Sequence, residues 1–148
     1  MSSRTFIILK PDALERGLVD AVMQRFFNEG FVVEHMHYRV IDRVLIKKHY
    51  EKVIEREGPE FIHWLDKEFV GKPAIPIILT HENDDGITVA RNILGNRRPE
   101  SAEKGSIRGD YGIGQMDPAK PAMNLVHASD SEEAFDKEKN LWFRATRF

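Results

Sequence analysis

The sequence predicts a mixed α/β fold in which a four-stranded, largely antiparallel sheet carries helices packed on one face. Three observations lead there. Runs rich in Ile, Val, Phe and Leu fall at residues 4–10, 31–41, 74–80 and 123–127, with the length and composition of strands. Stretches with apolar residues three and four apart lie between them, the spacing of helices that bury one side. The segments follow the order βαβ–α–βαβ–α, and 148 residues suffice for a single domain, residues 1–148, with a core of its own.

Taken in order, Arg4–Lys10 forms the first strand, with Phe6, Ile7, Ile8 and Leu9 at its centre. Pro11-Asp12 breaks it, and Asp12 with Glu15 has capping-box spacing for a turn of helix. Leu18, Val22 and Phe26 recur every four residues, which predicts an amphipathic helix over 18–28 that stops at Gly30. Phe31–Ile41 alternates loosely and is the second strand. Residues 43–57 and 59–69 read as two helices separated near Gly58-Pro59. Ala74–Thr80 is almost wholly apolar and therefore central in the sheet. Asp84–Leu94 is a helix with Ile87, Ala90 and Leu94 on one side. Residues 95–122 look irregular, and a stretch of that length inside a compact domain is usually functional. Met123–His127 is the last strand, and Ser131–Leu141 is a helix started by Ser129, Asp130 and Ser131. The arrangement is ferredoxin-like, a βαββαβ sandwich.

Composition narrows the function. A net charge of −2 excludes a globally basic nucleic-acid binder, and the second strand lacks the exposed aromatic pair of an RNA-binding sheet. The chain has no cysteine, so disulfides and thiolate metal sites are excluded and a reducing compartment, the cytoplasm, is the simplest location. No apolar run reaches the length of a membrane span.

The chemistry concentrates near one histidine. An isolated histidine at a strand end is normally just satisfied by its neighbours. His127, however, leaves an apolar run, meets the polar turn Ser129-Asp130-Ser131, and is followed by a helix carrying Glu138. Two helical turns bring such a carboxylate back beside the strand end. A carboxylate on one ring nitrogen makes the other more basic and stabilises the charge that develops in attack, which suits a nucleophilic histidine. Lys10, Arg91, Arg97, Arg98 and Arg108 form a second group. Single cations are normally solvated, but arginines around a glycine-containing loop suit a polyphosphate, whose oxygens guanidinium groups bind in pairs. There is no G-x-x-x-x-G-K-[ST] loop, no dinucleotide fingerprint and no protein-kinase signature, so side chains and a hydrated metal would hold the phosphates. Phe61 and Leu65, four apart on a helix, read first as core and second as a clamp against a base ring. His35 and His37 alternate on one strand without a third ligand in view, and His49, His63 and His81 show no arrangement that suggests a role.

From end to end the chain resembles the nucleoside diphosphate kinases. The resemblance is carried by Arg4-Thr5-Phe6-Ile7-Ile8-Leu9-Lys10-Pro11-Asp12, Arg16-Gly17-Leu18-Val19, His49-Tyr50, Asn92-Ile93-Leu94-Gly95 and Ser106-Ile107-Arg108-Gly109-Asp110-Tyr111. It closes on Asn124-Leu125-Val126-His127-Ala128-Ser129-Asp130-Ser131 and Leu141-Trp142-Phe143. It implies ping-pong exchange of a γ-phosphoryl group between nucleoside tri- and diphosphates, with little base preference. His127 matches the residue that is phosphorylated, Glu138 the acid that orients it and Ser129 the hydroxyl that supports the acid. Lys10 and Tyr50 match residues around the transferred phosphate. Arg91 and Arg108 match phosphate-binding arginines, Asn124 a sugar contact, and Phe61, with Leu65 beside it, the base-stacking aromatic. Arg97 stands where the family usually has a phosphate-binding threonine. Ala128 replaces a glycine, and Gly112–Ala122 is longer than the usual connection. The resemblance also implies Mg²⁺ held mainly by substrate phosphates, and a homo-oligomer, hexameric or less often tetrameric.

Overall fold

The computed structural model describes residues 3–82, 85–113 and 124–144. Its elements are β1 (Ser3–Leu9), α1 (Pro11–Glu15), α2 (Val19–Asn28), β2 (Phe31–Met36), β3 (Arg39–Val40), α3 (Arg43–His49), α4 (Glu51–Glu57), α5 (Pro59–Glu68), β4 (Pro73–His81), α6 (Gly86–Leu94), α7 (Ile107–Tyr111), β5 (Val126–Ala128) and α8 (Glu132–Arg144). A 3₁₀ turn covers Pro99–Ser101. The sheet runs β2-β4-β1-β5 with every neighbour antiparallel, which is the ferredoxin-like order, and β3 pairs with the start of β4. The apolar run of β4 is central, as expected, and β1 is the other central strand.

Helices cover both faces of the sheet, not the single face expected. Every residue from Thr5 to Leu9 is buried, and successive side chains of a strand point to opposite sides. Ile7 and Leu9 pack with Val22 and Phe26 of α2 and Ala90 and Leu94 of α6. Phe6 and Ile8 pack with Leu45 and Ile46 of α3, Leu65 of α5, and Phe135 and Trp142 of α8. A strand apolar on both sides is stable only when both are covered.

Other boundaries also differ. The expected second strand divides into β2 and β3, and its register slips between Val33 and His35. The helix expected over 43–57 breaks at Tyr50, which ends α3 and starts α4. The Asp12–Glu15 capping box does not form: Lys10 is the N-cap of α1 and makes no side-chain cap bond, while Asp12 turns to the amide of Leu125. The segment expected to be irregular contains α7, capped by Ser106 Oγ on the Gly109 amide at 3.1 Å. Residues 114–123, which hold most of the long Gly112–Ala122 connection and the first residue of the expected last strand, lie outside the described residues, as does Asp84. Gly95 ends α6 at φ +84°, where a Cβ would lie 2.4 Å from Ser106 Oγ, so the turn that leads to α7 requires glycine.

Candidate active site

β5 places His127 directly across from Ile8 of β1. Cross-strand partners share a face, so the imidazole lies on the side covered by α3 and α8. His127 Nε2 lies 2.9 Å from Glu138 Oε1, and the same oxygen accepts a bond from Ser129 Oγ at 2.6 Å. Burial works to raise the Glu138 pKa, but the bonds from His127 and Ser129 and the nearby imidazoles outweigh it and hold the carboxyl down at about 2. A carboxylate only accepts, so Nε2 carries the hydrogen and Nδ1 keeps the lone pair. The His127 side chain retains 23% of its surface, so the ring is not sealed in the core.

The turn before β5 is strained and held from several directions. Val126 N donates to Asn124 O at 2.7 Å across Leu125, whose φ is +69°, giving a γ-turn. Among the described residues Leu125 alone has a positive φ without being glycine. Lys10 N donates to Leu125 O at 2.8 Å, and Leu125 N donates to Asp12 Oδ2 at 3.1 Å. Arg108, only 7% exposed, uses all three guanidinium nitrogens on this backbone. Nε bonds Asn124 O at 3.2 Å, one terminal nitrogen bonds Gly95 O at 3.3 Å, and the other bonds Val126 O. Two of a guanidinium's five N–H groups remain for a ligand.

The other cations gather at the same end. Lys10 Nζ donates to Asn124 Oδ1 at 2.7 Å, and Arg91 donates to Ala128 O at 3.2 Å. Burial, and then the Arg108 charge, lower Lys10 to about 8 despite Asp12. Burial, and then Arg91, lower Arg108 to about 10. Asp12 is the one carboxylate that acts on both Lys10 and Arg108, and it does not offset burial and the neighbouring guanidinium charge, so the group is primed to bind a further anion. Asn124 links the group, since its Nδ2 donates to Arg97 O at 3.1 Å. The Arg97 side chain is exposed. Tyr50 is packed against His49 and Phe61, with ring centroids 4.7 and 5.6 Å away, and burial raises its hydroxyl pKa. Phe61 is half-buried and also touches Trp64. Leu65 is fully buried among Ile41, Ile46 and Phe69, so it fills the core role and is no part of an open clamp.

Sequence reasoning missed His49. Its ring meets His127 edge to face with centroids 4.7 Å apart, and its Nδ1 accepts the Trp142 indole N–H at 3.0 Å. In the sequence only the pair His49-Tyr50, one of the fragments that carry the family resemblance, marked this region, because the encounters with α8 and β5 are long-range. Asp12, read as a helix cap, is the second omission.

Among the described residues the one cluster with metal-ligand geometry is His49, His127 and Glu138. Two imidazoles do not suit Mg²⁺, a hard ion that takes oxygen. The nearby carboxylates, Asp12 and Glu138, each spend one oxygen on protein hydrogen bonds, and among the described residues no cluster of three carboxylates forms an oxygen cage here. The residues therefore fit Mg²⁺ only as an ion carried in by phosphates and water.

Comparison with known proteins points the same way. A family model described as nucleoside diphosphate kinase matches residues 3–148. The chain is 37% identical over 144 residues to a nucleoside diphosphate kinase of Methanocaldococcus jannaschii, covering 97% of this chain and 95% of that one. It is 40% identical to one of Thermococcus kodakarensis, covering 95% and 76%. Its fold superposes with a TM-score of 0.86 and 28% identity on a transition-state mimic of the Borrelia burgdorferi nucleoside-diphosphate kinase with bound vanadate and ADP, covering 96% and 87%. The matches define a phosphotransferase that acts on nucleotides. The chain belongs to the nucleoside diphosphate kinase family.

Proposed function

We propose that the chain moves the γ-phosphoryl group of a nucleoside triphosphate onto His127 Nδ1 and then onto a nucleoside diphosphate. The observation that carries this reading is the bond from His127 Nε2 to Glu138, which leaves Nδ1 as the only nitrogen of that ring with a free lone pair. Nδ1 forms the N–P bond as the bridge from phosphorus to the β-phosphate oxygen breaks. The first diphosphate leaves, and a second takes the group by the reverse displacement. Glu138 steadies the positive charge that grows on the ring, and Ser129 steadies Glu138. Lys10, Arg91 and Arg108 neutralise the phosphate oxygens, with Tyr50 beside the group in flight and Arg97 reaching in from the rim. Asn124, joined to Lys10, takes a sugar hydroxyl, and Phe61 offers one ring face to the base. A ring face reads no base edge, so purine and pyrimidine diphosphates should turn over comparably. Mg²⁺ carried by the nucleotide neutralises the phosphate charge that these cations do not reach.

Protein incubated with γ-labelled ATP should hold acid-labile, base-stable label, and GDP should release it as labelled GTP. His127→Ala should take no label, and normal exchange by that variant overturns the mechanism. We also propose a single domain over residues 1–148, a cytoplasmic location, on the cysteine-free composition, and a homo-oligomer, hexameric rather than tetrameric. Association of copies is supported by β2, an edge of the sheet that exposes Val32 and Met36, and light scattering tells a hexamer from a tetramer.

A further inference from the structure

We propose that His49, fixed by Trp142, is a positioning residue that sets the roll of the His127 ring; this rests on the phosphohistidine reading above. The β5 backbone anchors His127 at Cβ, and Glu138 anchors it at Nε2. Two anchors define a line, and the ring can still roll about that line. Nδ1 lies off it, so roll swings the attacking lone pair while the Glu138 bond stays made. A hydrogen bond alone therefore orients this nucleophile incompletely.

A second ring packed against the first removes that freedom. His49 meets His127 with planes at 81° and centroids 4.7 Å apart, a contact that roll would break or turn into a clash. His49 can act as a wall because it is itself held. It is the last residue of α3, and its Nδ1 accepts the Trp142 indole N–H at 3.0 Å. Trp142 is 1% exposed, and Arg39 donates to its carbonyl at 2.8 Å. With Nδ1 as acceptor, the neutral His49 ring carries its proton on Nε2, a single tautomer. Burial first, and then His127, press the His49 pKa to about 3, so the wall adds no positive charge beside the nucleophile. The mechanism otherwise gives this half-buried imidazole no task.

The test separates positioning from support of the fold. In His49→Asn, Oδ1 takes the place of Nδ1 and still accepts from Trp142, but the ring is gone. Single-turnover phosphorylation of His127 by ATP should slow ~10-fold in that variant, with nucleotide Kd within about twofold, the pattern of a misaimed nucleophile. Trp142→Phe keeps the ring and frees its tautomer. It should slow the same step ~3-fold, and ¹⁵N NMR should show His49 as an Nε2–H tautomer in the wild type and as a mixture in the variant. A folded His49→Asn that phosphorylates at the wild-type rate overturns the proposal, as does weakened nucleotide binding with the rate intact. Should His49→Asn not fold, an unchanged rate in Trp142→Phe overturns it. Absence of label on His127 in the wild type would instead sink the phosphohistidine reading, so the two failures are distinct.

Discussion

Glu138 Oε1 holds His127 Nε2 at 2.9 Å while taking a second hydrogen bond from Ser129, so a single oxygen sets both the tautomer and the charge stabilisation of the ring. Glu138→Gln keeps the length of the side chain and removes its charge. Phosphoenzyme formation should slow ~10–100-fold, as it does when a charge that supports a developing cation is lost. Ser129→Ala leaves the charge and removes one of two donors to Oε1, so the loss should be smaller, ~3–10-fold, at about one charged hydrogen bond or less. Rapid-quench measurement of labelled protein decides it, and equal rates for Glu138→Gln and wild type would remove Glu138 from the chemistry.

Lys10 should set the alkaline limb of the reaction. Its folded pKa is lowered to about 8, so the ammonium that meets the phosphates is present below that pH and lost as pH rises through it. The profile of kcat/KM reports the free enzyme, so it should fall above about pH 8. Lys10→Arg keeps the charge at every accessible pH. Its profile should stay flat where the wild type falls, even if the rate at neutral pH is lower. A wild-type limb that begins only above pH 10 would contradict a Lys10 desolvated beside Arg108.

The strands, the order of elements and the His127–Glu138 pair were legible in the sequence because they rest on local periodicity and on a helix that directly follows its strand. Phe6–Leu9 announced a strand, but the same apolar run served equally for one covered face or two. Covering the second required α3, α5 and α8, whose partners lie far along the chain. His49 was illegible for a related reason: its value comes from a tryptophan on α8 and an imidazole on β5, neither near it in sequence. Leu65 shows the opposite error, since four-residue spacing from Phe61 cannot tell a clamp from a core residue, and the core took it. The γ-turn at Leu125 had no signal either, because a buried leucine is an unfavourable residue at positive φ and is held there by Lys10 and Asp12.

Stability should weaken in acid in two stages. The unfolded chain binds a proton on His49 near the ordinary histidine pKa of 6.5, whereas the folded chain does so only near 3. Glu138 is protonated near 4.5 when unfolded and near 2 when folded. In both cases the unfolded state binds more protons over the interval, so stability falls as pH drops, first below 6.5 and again below 4.5. His49→Asn should flatten the first stage and Glu138→Gln the second. Urea midpoints measured from pH 7 to pH 3 test this, and a wild-type midpoint constant across that range would contradict both assignments.

Arg91 and Arg108 face the same chemistry but hold the fold very differently. Arg108 ties the carbonyls of Gly95, Asn124 and Val126 together with a side chain only 7% exposed. Arg108→Met leaves those carbonyls unpaired in a closed space, which should cost ~2–4 kcal/mol and also loosen the turn that aims His127. Among the described residues Arg91 bonds Ala128 O alone, from an exposed position on α6. Arg91→Met should therefore cost less than ~1 kcal/mol, because water replaces what is lost. Both variants should lose phosphoryl transfer, since each removes a charge from the transferred group. Activity thus cannot tell them apart, but denaturant midpoints at constant slope can. If the two variants unfold at the same midpoint, Arg108 is not the strut that the three carbonyl bonds make it.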